Sequence, residues 1–223
     1  MHVFRMFVVM LIMNVSTCTL ASANLISNGS FEDTVIKDNS WAWFNAGAVD
    51  GWNGSNIEIW NAFKNVAAYD GSQHIELNAH RGGRSPYSIS QTFATEVGEF
   101  YDISFAYSAR ASDQEAFWVN LIADNDTNLF SGLMDDHQVG QWSVFTTSFQ
   151  AVDLTTTLSF TSAEPYYGSV GNFLDNIAVT QTLPLQLITE VPEPVGMMFL
   201  GIAFLALMRS RLLKSVEKKT DGI

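Results

Sequence analysis

Aromatic and basic side chains cluster in two polar stretches that could bind a sugar. Trp41 and Trp43 lie in the loop-like stretch DNSWAWFNAG, and Tyr87 follows a loop that carries Arg81 and Arg84. A flat aromatic ring can pack against the apolar side of a pyranose, and arginine can donate hydrogen bonds to its hydroxyl groups. These five residues are the candidate ligand-binding set. The alternative is that the aromatic residues of this set are exposed without having a function.

Candidate catalytic groups are less well defined. By strand alternation His74, Glu76 and Asn78 share one face, for which a solvated polar face is the expected role. Asp135, Asp136 and His137 are expected to form a solvated turn. The chain has no G-x-S-x-G, H-E-x-x-H, P-loop or dinucleotide glycine motif. We therefore expect a protein that is not an enzyme, with a glycan hydrolase as an alternative because many carboxylates are available.

Charge narrows the range of partners. Between Asn24 and Glu190 the chain has five basic and twenty acidic residues, a net charge of −15. This charge disfavours nucleic acid and suits neutral ligands, calcium or solubility outside the cell.

The elements that must position these residues are strands. Short segments alternate apolar and polar residues, and turn pairs such as Asp50-Gly51 and Asn53-Gly54 separate them. About eight or nine strands in roughly 160 residues predict an all-β, two-sheet antiparallel sandwich. The predicted strands include Ile57–Trp60, His74–Leu77, Ser88–Phe93, Tyr101–Tyr107, Phe117–Ile122, Trp142–Phe149, Thr157–Phe160 and Phe173–Val179.

The N-terminal segment has the pattern of a secretory signal peptide. Arg5 precedes the apolar run Met6–Val15, and Ala21-Ser22-Ala23 is an A-x-A site, so we expect cleavage after Ala23. Lipidation of Cys18 is an alternative that the bulky residue before it disfavours. After cleavage at Ala23 no cysteine would remain, which excludes disulfides and thiolate chemistry.

The C-terminal segment combines a proline-framed acid, an apolar run and a basic cluster. As a helix, Val195–Met208 would span about 21 Å and could insert in a membrane with help from its basic flank. This arrangement resembles the PEP-CTERM sorting signal of exopolysaccharide-producing bacteria. The resemblance implies processing by an exosortase-like enzyme; an ordinary membrane anchor is the alternative. The matching residues are Pro192, Glu193, Pro194, Arg209 and Arg211.

The region between the two ends resembles galactose-binding-like jelly rolls. The opening NLISNGSFE, the segment DGSQHIELN and the closing FLDNIAV resemble family 4 and family 22 carbohydrate-binding modules and related cell-wall domains of unknown function. In such a fold the first and last strands pair, which would bury Phe31 and Ile177. Members of these folds often bind a structural calcium here. Its candidate ligands are Glu32, Asp175 and, less securely, Asp70; the alternative is that these residues cap turns.

We therefore expect an exported, non-catalytic protein at the cell surface or in the extracellular matrix of a bacterium. It would bind extracellular polysaccharide, and the alternative is a structural matrix protein without a small ligand. The expected segments are a signal peptide at 1–23, a jelly-roll domain at 24–180, a linker at 181–190, a sorting and transmembrane segment at 191–215 and a polar tail at 216–223.

Overall fold

Strands dominate the part of the chain that the computed structural model describes, which is residues 22–45, 47–80 and 84–182. A 3-10 turn, Phe63–Asn65, is the one helical element within these ranges. The strands are β1 (Ser40–Phe44), β2 (Asn53–Gly54), β3 (Ile57–Asn61), β4 (Gln73–Glu76), β5 (Ser88–Ala94), β6 (Phe100–Ser108), β7 (Ala116–Ala123), β8 (Asn128–Met134), β9 (Ser143–Gln150), β10 (Thr155–Glu164) and β11 (Phe173–Gln181).

The strands form two antiparallel sheets. A six-stranded sheet has the order β1-β3-β4-β11-β6-β9, and a five-stranded sheet has the order β2-β5-β10-β7-β8. From β4 onward the chain crosses repeatedly from one sheet to the other, an arrangement consistent with a jelly roll. The predicted all-β, two-sheet antiparallel sandwich is confirmed.

Aromatic rings join the two sheets at the centre of the core. Phe105 on β6 of the six-stranded sheet lies 5.1 Å, centroid to centroid, from Phe160 on β10 of the other sheet. Phe117 and Trp52 also contact Phe160, and all four side chains are at most 1% exposed. Burial of such large apolar surfaces is the main stabilising contribution in a domain without disulfides.

The N-terminal segment runs along the end of β11, as predicted. The Leu25 N–H donates to the Val179 carbonyl, and the Ile177 N–H donates to the Gly29 carbonyl. Phe31 and Ile177 are both buried, which confirms the expectation for these two residues.

Three strands were not predicted. The shortest, β2, consists of Asn53 and Gly54, a pair that the sequence pattern indicates as a turn. The sequence indicates a loop at β1 because polar and turn-forming residues flank it in DNSWAWFNAG; in the structure its side chains are partly buried or exposed. β8 contains Ser131 and Gly132, which weaken the strand pattern. All three are edge strands, where one row of backbone groups lacks a partner and the sequence signal is weak.

Several predicted features lie outside the described residues. These are most of the signal peptide, the apolar C-terminal helix with the sorting residues, and Arg81. Within the described part of the chain, no helix has the length and apolar character needed to cross a membrane.

Candidate functional site

The outer face of the six-stranded sheet carries an array of aromatic and carboxylate side chains. Residues paired across neighbouring antiparallel strands point to the same face. Trp41 on β1 pairs with Trp60 on β3, and Trp60 pairs with His74 on β4. In the adjacent row, the paired residues from β1 to β11 are Trp43, Glu58, Glu76 and Phe173.

Loops cover the part of this face that β3 and β4 form. His74, Glu76 and Asn78 are completely buried, so the prediction that they form a solvated polar face is wrong. The Gly171 N–H donates to Glu76 Oε1 at 2.8 Å, and the Phe63 ring packs on Trp60 with centroids 5.1 Å apart. His137 is also buried rather than part of a solvated turn, and its Nε2 is hydrogen-bonded to Asn172.

A buried ion pair holds an arginine over this face. Arg110 Nη1 donates to both carboxylate oxygens of Glu76 and, at 3.0 Å, to the Ser169 carbonyl. The guanidinium carbon lies 4.8 Å from the centroid of the Trp60 ring, within the range of a cation–π contact. Burial raises the pKa of Glu76 to about 8, and the nearby Glu58 adds to the rise while Arg110 opposes it.

Glu58 is the second carboxylate of this face, directly opposite Glu76 across β3 and β4. Its Oε1 accepts a hydrogen bond from Trp60 Nε1 at 2.8 Å, and its Oε2 accepts one from the His80 N–H at 2.8 Å. The residue is only 3% exposed. Glu58 therefore fixes the Trp60 indole and the start of the loop after β4.

One part of the face stays open as a cleft of about 280 Å³. Trp41, 37% exposed, lies at this cleft with its ring centroid 5.5 Å from that of His80. The cleft thus offers an aromatic surface beside polar and positively charged groups, which is the chemistry that a sugar ring requires. Its lining residues are Trp41, Glu58, Trp60, Phe63, Lys64, His80, Arg110, Ser169 and Val170.

The predicted ligand-binding residues have different locations. Trp41 lines the cleft, and the half-buried Trp43 points to the same sheet face from β1. Arg84 is exposed but does not line the cleft. The expectation that Tyr87 offers an exposed ring is wrong, because the ring is 3% exposed and its hydroxyl donates to the Ala79 carbonyl.

Of the cleft residues, Trp41 alone belongs to the predicted ligand-binding set, and the residues that sequence reasoning missed include Trp60, Lys64 and Arg110. A signal for Trp60 was present, because the alternation in IEIW places Glu58 and Trp60 on the face opposite Ile57 and Ile59. Arg110 carried no such signal, since its partner Glu76 is 34 residues away in the chain.

The predicted calcium ligands lie around the loop from Tyr69 to Gln73. Asp175 Oδ2 accepts hydrogen bonds from the N–H groups of Tyr69 and Asp70, at 2.8 and 2.9 Å. Glu32 Oε1 accepts from the N–H groups of Ser72 and Gln73, at 2.7 and 2.6 Å. These carboxylates therefore act as loop caps in this structure. Burial raises the pKa of Asp175 to about 7, which the three backbone hydrogen bonds to its carboxylate oppose.

This loop leaves few oxygens for an ion. Asp70 Oδ2 accepts a hydrogen bond from Ser30 Oγ at 2.9 Å, and only Glu32 Oε2 and Asp70 Oδ1 have no hydrogen-bond donor among the described residues. Within those residues, no group of three His, Cys, Asp or Glu side chains is arranged to hold a metal. Calcium stays a prediction from the sequence.

Fold and cleft together define a two-sheet β-sandwich domain with an aromatic cleft on the outer face of one sheet. The chain belongs to the family described as Protein of unknown function (DUF642), which matches residues 24–180. Halomucin from Haloquadratum walsbyi is 29% identical over 167 residues; the match covers 71% of this chain but only 2% of the length of Halomucin.

Solved carbohydrate-binding modules have a similar fold. TmCBM61, solved with beta-1,4-galactotriose, is 16% identical with a TM-score of 0.48, and the match covers 72% of this chain and 100% of that one. Family 16 Carbohydrate Binding Module-2 is 18% identical with a TM-score of 0.48, over 70% of this chain and 99% of that one.

Proposed function

We propose that the domain is a non-catalytic carbohydrate-binding module of an exported protein, and that it binds extracellular polysaccharide in the cleft beside Trp41. The observation that carries this proposal is the position of Trp41, a partly exposed indole at the mouth of a polar cleft. One face of a pyranose ring can pack on such an indole while its hydroxyl groups form hydrogen bonds to the polar lining.

The burial of Glu58, which lines the cleft, and of Glu76, which lies beside Arg110, supports binding rather than hydrolysis. Glycoside hydrolysis uses two carboxyl groups that reach the scissile bond. Glu76 is completely buried and Glu58 is 3% exposed, and both are held by internal hydrogen bonds. These groups therefore stabilise the cleft, and the proposal assigns them no role in bond cleavage.

Features of the two ends of the sequence support export and sorting of the protein. The signal-peptide pattern and the tail with Pro192, Glu193 and Pro194 support delivery to the cell envelope or extracellular matrix. The basic residues Arg209 and Arg211 would hold the tail in the membrane until an exosortase-like enzyme acts on it.

The test is a titration of the full chain with a panel of soluble polysaccharides, followed by isothermal calorimetry. Trp41→Ala is compared with Trp118→Ala, which removes an indole of similar exposure (43%) from the other sheet. Loss of the aromatic contact should weaken binding about fivefold or more in Trp41→Ala and leave binding by Trp118→Ala unchanged, since stacking contributes about 1–3 kcal/mol in analogous cases.

Other results would favour the rival functions. If the full chain binds no polysaccharide, the structural matrix protein becomes the better account. If it releases reducing ends from a glycan, and one carboxylate substitution abolishes that release, the domain is a hydrolase.

A further inference from the structure

We infer that the cleft recognises a sugar that carries one carboxylate, such as a uronic acid, within an otherwise mostly neutral glycan. This inference rests on the proposed function and specifies its ligand class. The observation behind it is the distribution of positive charge. The described residues contain four basic side chains, Lys37, Lys64, Arg84 and Arg110, and two of the four line this one cleft.

Glu58 of the cleft lining and Glu76 beside Arg110 do not present their carboxylates to a ligand. Glu58 and Glu76 are at most 3% exposed, and their oxygens already accept internal hydrogen bonds. Lys64 is exposed, and the Arg110 side chain is 20% exposed. An incoming ligand therefore meets cations first, and the carboxylates lie beneath them.

Arg110 keeps donors available for a ligand. Its Nη1 has three acceptors, two on Glu76 and one on Ser169, whereas Nε and Nη2 have none among the described residues. Two adjacent N–H groups on one edge of a guanidinium match the two oxygens of a carboxylate. The Trp60 ring below and Glu76 beside it hold this edge in place.

The loop that carries Lys64 is held in an uncommon backbone conformation. Ala62, Lys64 and Asn65 have φ angles of 48°, 54° and 61°. Side chains other than glycine adopt this left-handed region at an energetic cost, and such residues cluster at ligand sites. This turn carries Lys64 at the cleft, where its Nζ lies 5.5 Å from the Phe63 ring centroid.

The charge of the whole domain limits how anionic the ligand can be. A net charge of −15 between Asn24 and Glu190 repels a polyanion at long range. A single carboxylate in the cleft experiences Lys64 and Arg110 more strongly than the acidic residues elsewhere on the domain surface, because screening at physiological salt acts over about 8 Å. The expected ligand is therefore an isolated uronate rather than a polyuronate.

The experiment compares a uronate-containing oligosaccharide with the same oligosaccharide after reduction of its carboxylate to an alcohol. We expect the full chain to bind the carboxylate form about tenfold more tightly, since charged hydrogen bonds are about twice as strong as neutral ones. Equal affinity for the two forms overturns the inference and leaves the proposed function intact. Failure to bind either form overturns the inference, and it contradicts the proposed function as well only if the full chain also binds no member of the polysaccharide panel.

Substitution of single basic residues shows which of them determine the preference for the carboxylate form. Lys64→Asn should lower the preference for the carboxylate about threefold, because asparagine tolerates the left-handed conformation and an exposed ion pair contributes little. Lys37→Asn removes the same charge outside the cleft and should leave the preference unchanged. An equal fall in both variants would mean that total charge, not the cleft, sets the preference.

Arg110→Lys keeps a positive charge next to Glu76 and removes the planar pair of donors. It should reduce affinity for the carboxylate form and leave affinity for the reduced form unchanged. If the two affinities fall by the same factor, Arg110 only supports the cleft, and its assignment as the carboxylate-binding residue is wrong.

Discussion

Arg110 donates through one nitrogen to both carboxylate oxygens of Glu76, whose side chain is completely buried beneath the loops. The same nitrogen donates to the Ser169 carbonyl, and the Gly171 N–H donates to Glu76. One ion pair thus joins strand β4 to two loops that cover the sheet face. It also fixes the guanidinium over Trp60 at the wall of the cleft.

Removal of one member of this pair should be costly. Arg110→Met leaves the Glu76 carboxyl group buried without its donor; this group then takes up a proton, because Arg110 opposes the rise of its pKa, and we expect the free energy of unfolding to fall by about 2 kcal/mol. Urea denaturation of the wild type and the variant measures the difference. The double variant Arg110→Met/Glu76→Gln should recover part of the loss; a double variant that is less stable than Arg110→Met would contradict this account.

Gly29 lies where no side chain fits. A Cβ atom at this position would lie 2.0 Å from the Ile177 carbonyl oxygen, which belongs to the backbone of β11. Gly29→Ala should therefore separate the N-terminal segment from β11 and destabilise the domain by more than about 3 kcal/mol.

Gly98→Ala is the control for this substitution. Gly98 has a φ of +91° and free space around its Cβ position, so only backbone strain of about 1 kcal/mol should result. Comparison of the two melting temperatures tests the prediction, which fails if the two variants melt together.

His74 should make the domain sensitive to acid. Its ring is completely buried among aromatic rings, 4.7 Å from Phe173 and 5.4 Å from Trp142, and neither ring nitrogen has a hydrogen-bond partner in the described structure. Burial lowers the pKa of His74 from 6.5 to about 4. The unfolded chain therefore binds a proton between these values while the folded domain does not.

The sign of the resulting pH dependence follows from this difference. Stability due to neutral His74 is present above pH 6.5 and is lost as the pH falls towards 4, by up to about 3 kcal/mol. His74→Leu removes the titrating group, so unfolding free energies measured from pH 7 to pH 4 should fall less steeply in the variant. Parallel curves for the two proteins would show that His74 does not contribute.

Calcium binding can be tested by recording melting curves of the protein with calcium and with a chelator. If an ion binds Glu32 and Asp70 in the native state, calcium should raise the melting temperature by mass action. Asp70→Asn should abolish the rise, since the loop would lose one of its two available carboxylate oxygens. Identical curves in calcium and chelator would remove the ion from the account.

The sequence predicted the sandwich because its strands alternate apolar and polar residues. This pattern involves only residues that are adjacent in the chain. It did not predict the covered sheet face. In His74-Ile75-Glu76 the alternation indicates that His74 and Glu76 point away from the core between the sheets. It does not show that loops distant in the sequence cover these two side chains. The prediction of an exposed Tyr87 ring was wrong for the same reason, because the burial of this residue depends on contacts with Ala79 and with β10.

Binding of a glycan beside Trp41 can be observed in a heteronuclear NMR titration. The signals to follow are the indole N–H signals of the protein's six tryptophans. Addition of an oligosaccharide that the chain binds should shift the signals of Trp41 and Trp60, since both line the cleft, and leave that of Trp118 unchanged. Saturable shifts confined to Trp118, or binding without any shift of Trp41, would contradict the proposed binding beside Trp41.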